Sequence, residues 1–186
     1  MTFEAWWHLQ LARFWLLLKQ SEYAANELKA ALAVDPGSAR AASGLGYLYG
    51  SRGEHATAAH YLERARAITP EDAVVHFNLG FVHERAGNHE AAIAAFGEAV
   101  RLRPSIDRAW FGMGLSLAAL GRHAEAAQAL EEAARLQPMN AHAWYALGMA
   151  YHVLGRRDKV DETIERLRGF DPKMTARLEQ DSSHAA

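Results

Sequence analysis

The side chains best suited to chemistry here are ten histidines, with no cysteine beside them. His55, His89 and His123 recur at intervals of 34 residues, as if each belonged to its own copy of one unit. A zinc ion gathers its ligands at about 2 Å, so histidines on separate copies, a helix-pair layer apart, cannot share one. His76 and His83 share a segment with helical patterning, where two turns separate them by about 10 Å. They stand where other copies carry aromatic residues, so buried, hydrogen-bonded roles are expected for them. Glu131 and Glu132 are adjacent on a second helical pattern, the usual setting of a solvated face; a catalytic pair needs a cleft. No serine or threonine has a convincing base beside it, and no glycine-rich phosphate loop occurs. The expectation is a non-enzymatic chain with no metal and no cofactor.

Composition narrows the partners. The formal charge of −2 argues against nucleic acid held by electrostatics. Without cysteine there are no disulfides and no thiolate sites, which fits a cytoplasmic location. The N-terminal run MTFEAWWHLQLARFWLLLKQ is apolar but is interrupted by Glu4, His8 and Arg13. It has neither the basic start nor the cleavage site of a secretory signal. A bilayer span needs roughly 20 apolar residues, so the run is expected to be a mature helix.

The elements that position these side chains are set by the prolines. Pro36, Pro70, Pro104, Pro138 and Pro172 are all the prolines of the chain, each 34 residues from the next. Gly46, Gly80, Gly114 and Gly148 keep the same register, as do Gly53, Gly87, Gly121 and Gly155. So do the alanines at 24, 58, 92 and 126, and the large apolar residues Leu11, Leu45, Leu79, Met113 and Leu147. Within each copy, apolar residues recur at helical spacing twice, on either side of a glycine. The glycine suits a left-handed helix end, and the proline stops the second helix. The small residues let the two helices of a pair approach closely.

This pattern resembles the tetratricopeptide repeat, whose leading motif is complete in Trp144, Leu147, Gly148 and Tyr151. The resemblance implies an all-α fold, a right-handed α-solenoid of five tandem helix-turn-helix repeats at 5–38, 39–72, 73–106, 107–140 and 141–174. A capping helix at 173–181 would complete one array over 1–181, and 182–186 would be a disordered tail. Departures fall at the ends. Ala12 and Lys19 replace the two glycines of the first repeat, and Val160 and Leu167 replace alanines of the last. End repeats are expected to be atypical.

The resemblance further implies that the first helices of successive repeats line a concave groove. Mapped onto this chain, that face carries Tyr47, Phe77, Phe81, Phe111, Leu115, Tyr145 and Met149, with polar Arg40, Asn78, Arg108 and His142. These aromatics are surplus to the packing ladders. Aromatic residues with a few arginines are the usual composition of a protein contact surface. Some family members clamp a C-terminal carboxylate with lysines and asparagines; here Tyr47 and Phe81 take such places and only Asn78 fits. The expected ligand is a protein or peptide segment with apolar side chains, an acidic residue of which would meet Arg40 or Arg108. The expected role is an interaction scaffold or adaptor. A chaperone-like holder of an apolar secretion or assembly client, or an accessory subunit of an enzyme complex, are the alternatives.

The first helix has no preceding repeat, so its outward stripe should be polar. It reads instead Phe3, Trp7, Phe14 and Leu18, with Trp6 and Leu17 alongside. Three such aromatics, at roughly 150–250 Å² each, equal the largest apolar patch of an ordinary monomer. The expected occupant is a second copy, giving a homodimer through the N-terminal helix. Membrane contact is disfavoured because Glu4, His8 and Gln10 form no basic face.

Overall fold

The computed structural model describes residues 2–183. Among the described residues there are eleven helices and no strand. They are α1 (Phe3–Leu17), α2 (Ser21–Val34), α3 (Ala39–Ser51), α4 (His55–Ile68), α5 (Ala73–Arg85), α6 (His89–Leu102), α7 (Asp107–Ala119), α8 (His123–Leu136), α9 (Ala141–Val153), α10 (Arg157–Arg168) and α11 (Pro172–Ser183). The helices divide into two compact units, residues 1–88 with α1–α5 and residues 89–186 with α6–α11. The boundary falls inside the third expected repeat.

Helix starts follow side-chain chemistry. Thr2, Ser38, Asp72 and Asn140 cap α1, α3, α5 and α9 by accepting a backbone N–H of the first turn. Turns within the pairs need a left-handed residue. Gly53, Gly121 and Gly155 supply it with φ of +80°, +74° and +70°. In the first pair the same place is held by Lys19, which adopts φ +57° despite its side chain.

In the N-terminal unit the core is Leu28, Leu45 and Leu62, with Gly46 drawn so close to Leu62 that a Cβ there would overlap it. The C-terminal unit repeats the device. A Cβ on Gly114 would lie 2.6 Å from Leu130 Cγ, and one on Gly112 would lie 2.5 Å from Phe96 Cζ. At Gly148 the nearest side chain belongs to α11, since Leu178 Cδ2 would stand 2.5 Å from an added Cβ. Leu178 and Leu167 are fully buried.

The chain's end differs from expectation. Pro172 opens α11, where its missing N–H costs nothing, and Asp171 Oδ1 accepts the Met174 N–H at 2.9 Å. The helix runs through Ser183, two residues past the expected end at Asp181. Ser182 and Ser183 turn their hydroxyls onto the helix carbonyls of Glu179 and Gln180, at 3.4 and 2.8 Å. These two residues therefore leave the expected disordered tail, and 184–186 lie outside the described residues.

Candidate functional site

In the N-terminal unit the expected groove residues sit on α3 and α5. Tyr47 and Phe81 are exposed at 60% and 42%, Arg40 is exposed, and Phe77 and Asn78 are half-buried. Helical spacing places Phe77 and Phe81 one turn apart on α5. A Cβ on Gly50 of α3 would lie 3.1 Å from Val82 of α5, so the absence of a side chain there brings the two first helices together.

The C-terminal unit gathers its members around a defined space. A cleft of about 360 Å³ is walled by Phe111 and Leu115 of α7, His142, Tyr145 and Met149 of α9, and Arg177 of α11. Arg108 is exposed at the start of α7 and is not among its walls. Two polar groups of this site come from α11, which the sequence reading treated only as a cap. The Tyr145 hydroxyl donates to Asp181 Oδ2 at 2.6 Å, and the Arg177 guanidinium lies 4.8 Å from the Tyr145 ring centroid. The hydrogen bond to Asp181, followed by burial, raises the Tyr145 phenol above its ordinary pKa. The available signal was the short second helix before the cap: α10 has 12 residues, whereas α2, α4, α6 and α8 have 14.

The expected association residues are all exposed: Phe3, Trp6, Trp7 and Phe14 of α1, and Leu18 at its C-cap. The repeat register shows what this exposure means. Trp7 is 50% exposed, whereas Ala41, Val75, Ala109 and Ala143 at the same register are at most 1% exposed. Phe14 is 51% exposed, whereas Leu48, Val82, Ser116 and Ala150 are at most 3% exposed. Phe3 stacks on Trp6 with centroids 5.8 Å apart, so the stripe is partly self-ordered.

Two tetratricopeptide-repeat family models match the sequence, one over residues 38–105 and the other over 77–138 and 112–159. The chain belongs to the tetratricopeptide-repeat family. Among solved structures, one of MamA is similar with a TM-score of 0.83, 20% identity, and coverage of 100% of this chain and 98% of that one. YrrB, described as a TPR protein with an unusual peptide-binding site, has a TM-score of 0.81 and 23% identity, covering 93% of this chain and 90% of its own. PilF of Pseudomonas aeruginosa has a TM-score of 0.80 and 20% identity, covering 97% and 85%. At these identities the likeness concerns the fold, an all-α solenoid of tandem helix pairs. No curated protein matches the sequence.

The tetratricopeptide-repeat register also explains His76, whereas His83 is only half-buried. Trp110 and Trp144 donate their indole N–H to the carbonyls of Pro104 and Pro138, each at 2.9 Å. His76 stands in the same place, is buried, and holds the Pro70 carbonyl through Nε2 at 2.7 Å. A carbonyl only accepts, so Nε2 carries the proton. His8, two repeats earlier in the same register, meets Glu27 of α2 at 2.6 Å instead. Among the described residues no group of three or more histidines and carboxylates could hold a metal ion. No helix among them is long and apolar enough to cross a membrane.

Proposed function

We propose that this tetratricopeptide-repeat protein carries five repeats closed by α11 and serves as a non-enzymatic adaptor in the cytoplasm. It holds an apolar segment of a partner protein on the inner faces of its first helices. The observation that carries this reading is the cleft of the C-terminal unit, where Phe111, Tyr145 and Met149 leave open apolar space edged by His142 and Arg177. Such a composition suits a contact surface in which a few aromatic anchors supply most of the affinity. Tyr47 and Phe81 offer the same chemistry on α3 and α5. That a protein of the same fold is described as having a peptide-binding site supports the reading by analogy.

The test is fluorescence anisotropy against short labelled peptides bearing leucine and phenylalanine, each paired with a scrambled version. An adaptor discriminates between the two orders; a chaperone-like holder does not. Phe111→Ala with Met149→Ala should weaken the preferred peptide about tenfold or more, with helicity unchanged. Equal binding by the parent and the double variant removes the cleft from the proposal.

The proposal includes self-association through α1. At later repeats, register positions covered by the preceding helix pair carry alanine, valine, leucine or serine; α1 carries Trp7 and Phe14. A tryptophan where alanine permits close stacking holds any continuing helix pair away, which favours a different packing. An antiparallel pairing of two α1 helices about their midpoint sets Trp7 of each copy against Phe14 of the other, and Phe3 against Leu18. That self-complementary order is what a two-fold interface requires.

A further inference from the structure

The inner cleft of the C-terminal unit carries charge of one sign. Its ionisable walls are His123 of α8, His142, Tyr145 and Arg177, and among the described residues no carboxylate lines it. Arg177 is always protonated, and the histidines can only add positive charge. Composition does not explain this, since the chain has 22 Asp and Glu against 20 Lys and Arg. Two other clefts of the same unit are mixed. Glu131 and Glu165 stand among the cations of one, and Asp161 and Glu179 beside Arg157 in the other.

The rim of the inner cleft already holds one carboxylate. Asp181 accepts the Tyr145 hydroxyl at 2.6 Å and lies 3.6 Å from Arg177 Nε. The first contact is a full hydrogen bond, and the second is a loose ion pair. The Arg177 side chain stays 63% exposed, with its guanidinium 4.8 Å from the Tyr145 ring centroid. Asp181 approaches it at Nε, and a guanidinium has four further N–H donors in a planar fork.

We propose, resting on the adaptor reading above, that the partner segment carries an aspartate or glutamate close to its apolar anchor and that Arg177 takes the carboxylate. The apolar side chain enters between Phe111 and Leu115 of α7 and Tyr145 and Met149 of α9. The acidic group stays at the rim, where Arg177 reaches over the Tyr145 ring. The helix that closes the array thus supplies the charge selection, and the first helices supply the apolar contact. A pair this exposed adds little affinity and acts chiefly in discrimination between partners. Asp181 competes for the same guanidinium, which weakens the pair without preventing it.

The probe is acetyl-Ser-Leu-Phe-Asp-Ser-Gly-amide, with two versions that move the Asp one or two residues further from the Phe. Each is paired with an Asn and a Lys counterpart. The readout is the Met149 methyl ¹H–¹³C resonance of the full chain, identified by its loss in Met149→Leu. At least one Asp peptide should bind about threefold or more tighter than its Asn counterpart at about 50 mM salt, with the Lys counterpart weaker still. The preference should shrink at about 500 mM salt. Arg177→Gln, at an exposed position, should bring the Asp and Asn peptides to equal affinity, and Arg177→Glu should favour Lys. Asp181→Asn, whose side-chain oxygen can still accept the Tyr145 hydroxyl, removes the competing charge and should tighten the Asp peptide. Equal binding of Asp and Asn peptides by the parent chain, or an Asp preference that survives Arg177→Gln, overturns this inference and leaves the adaptor reading standing. No methyl shift with any peptide at millimolar concentration overturns both. Decanoate bound as tightly as the Asp peptide would make a fatty acid the occupant and overturn the inference as well.

Discussion

Tyr145 of α9 is joined to Asp181 of α11, 36 residues later, by a 2.6 Å hydrogen bond in which the phenol donates. This bond ties the final helix to the wall of the inner cleft, so the cap and the candidate binding surface are mechanically one feature.

The bond gives a pH prediction with a definite sign. The folded-state pKa of Tyr145 is raised, chiefly because Asp181 holds its proton. Tyr151 is shifted in the same direction, by burial first and by Glu131 second. A group that binds its proton more tightly when folded contributes full stability below its unfolded pKa, about 10 for tyrosine. That contribution is lost as pH rises through the folded value. Urea midpoints should therefore fall as pH rises above about 10, and Tyr145→Phe should be less stable near neutrality by about 1 kcal/mol, with a shallower alkaline decline. Parallel alkaline curves for variant and parent would contradict the assignment.

Ser116 is fully buried, and its Oγ has no hydrogen-bond partner. A hydroxyl left unsatisfied costs about 1–3 kcal/mol, and Ala150 fills the same register one repeat later. Ser116→Ala should raise the urea midpoint by an amount equivalent to about 1 kcal/mol. A lowered midpoint would show that the hydroxyl is satisfied in solution.

Lys19 holds a left-handed conformation that glycine holds at Gly53, Gly121 and Gly155. The strain for a residue with a Cβ is about 1 kcal/mol, partly offset by glycine's greater freedom in the unfolded chain. Lys19→Gly should raise the melting temperature, while Gly121→Ala should lower it. The pair of thermal melts tests the turn geometry without touching the inner cleft.

Trp7→Glu with Phe14→Glu should convert the chain into a soluble monomer, measured by light scattering across a concentration series. Both side chains are half exposed, so the helix pair beneath should keep its far-ultraviolet circular dichroism. A parent chain that is monomeric at the highest concentration removes the α1 pairing from the proposal.

The helix pairs were legible because the copies after the first repeat the same constraints. Glycine at 46, 114 and 148 marks a close approach, glycine at 53, 121 and 155 marks a left-handed turn, and the prolines mark the ends. The inner wall in the C-terminal unit was legible for a related reason: Phe111, Leu115, Tyr145 and Met149 occupy one face of two first helices that the structure sets around one space. Arg177 and Asp181 were not legible, because α11 joins the wall only after the shortened α10 and the turn at Pro172. Glu131 is exposed, as read from the sequence, and it also accepts the Tyr151 hydroxyl, a contact that the sequence does not show.

The two termini of the fold present unlike chemistry. The outer surface of α11 exposes Lys173, Arg177, Glu179 and Gln180, whereas α1 exposes rings. A greasy surface laid on a charged one strips water from ions, a cost that ring against ring avoids. The proposed pairing through α1 is therefore favoured over contact between α1 of one copy and α11 of another.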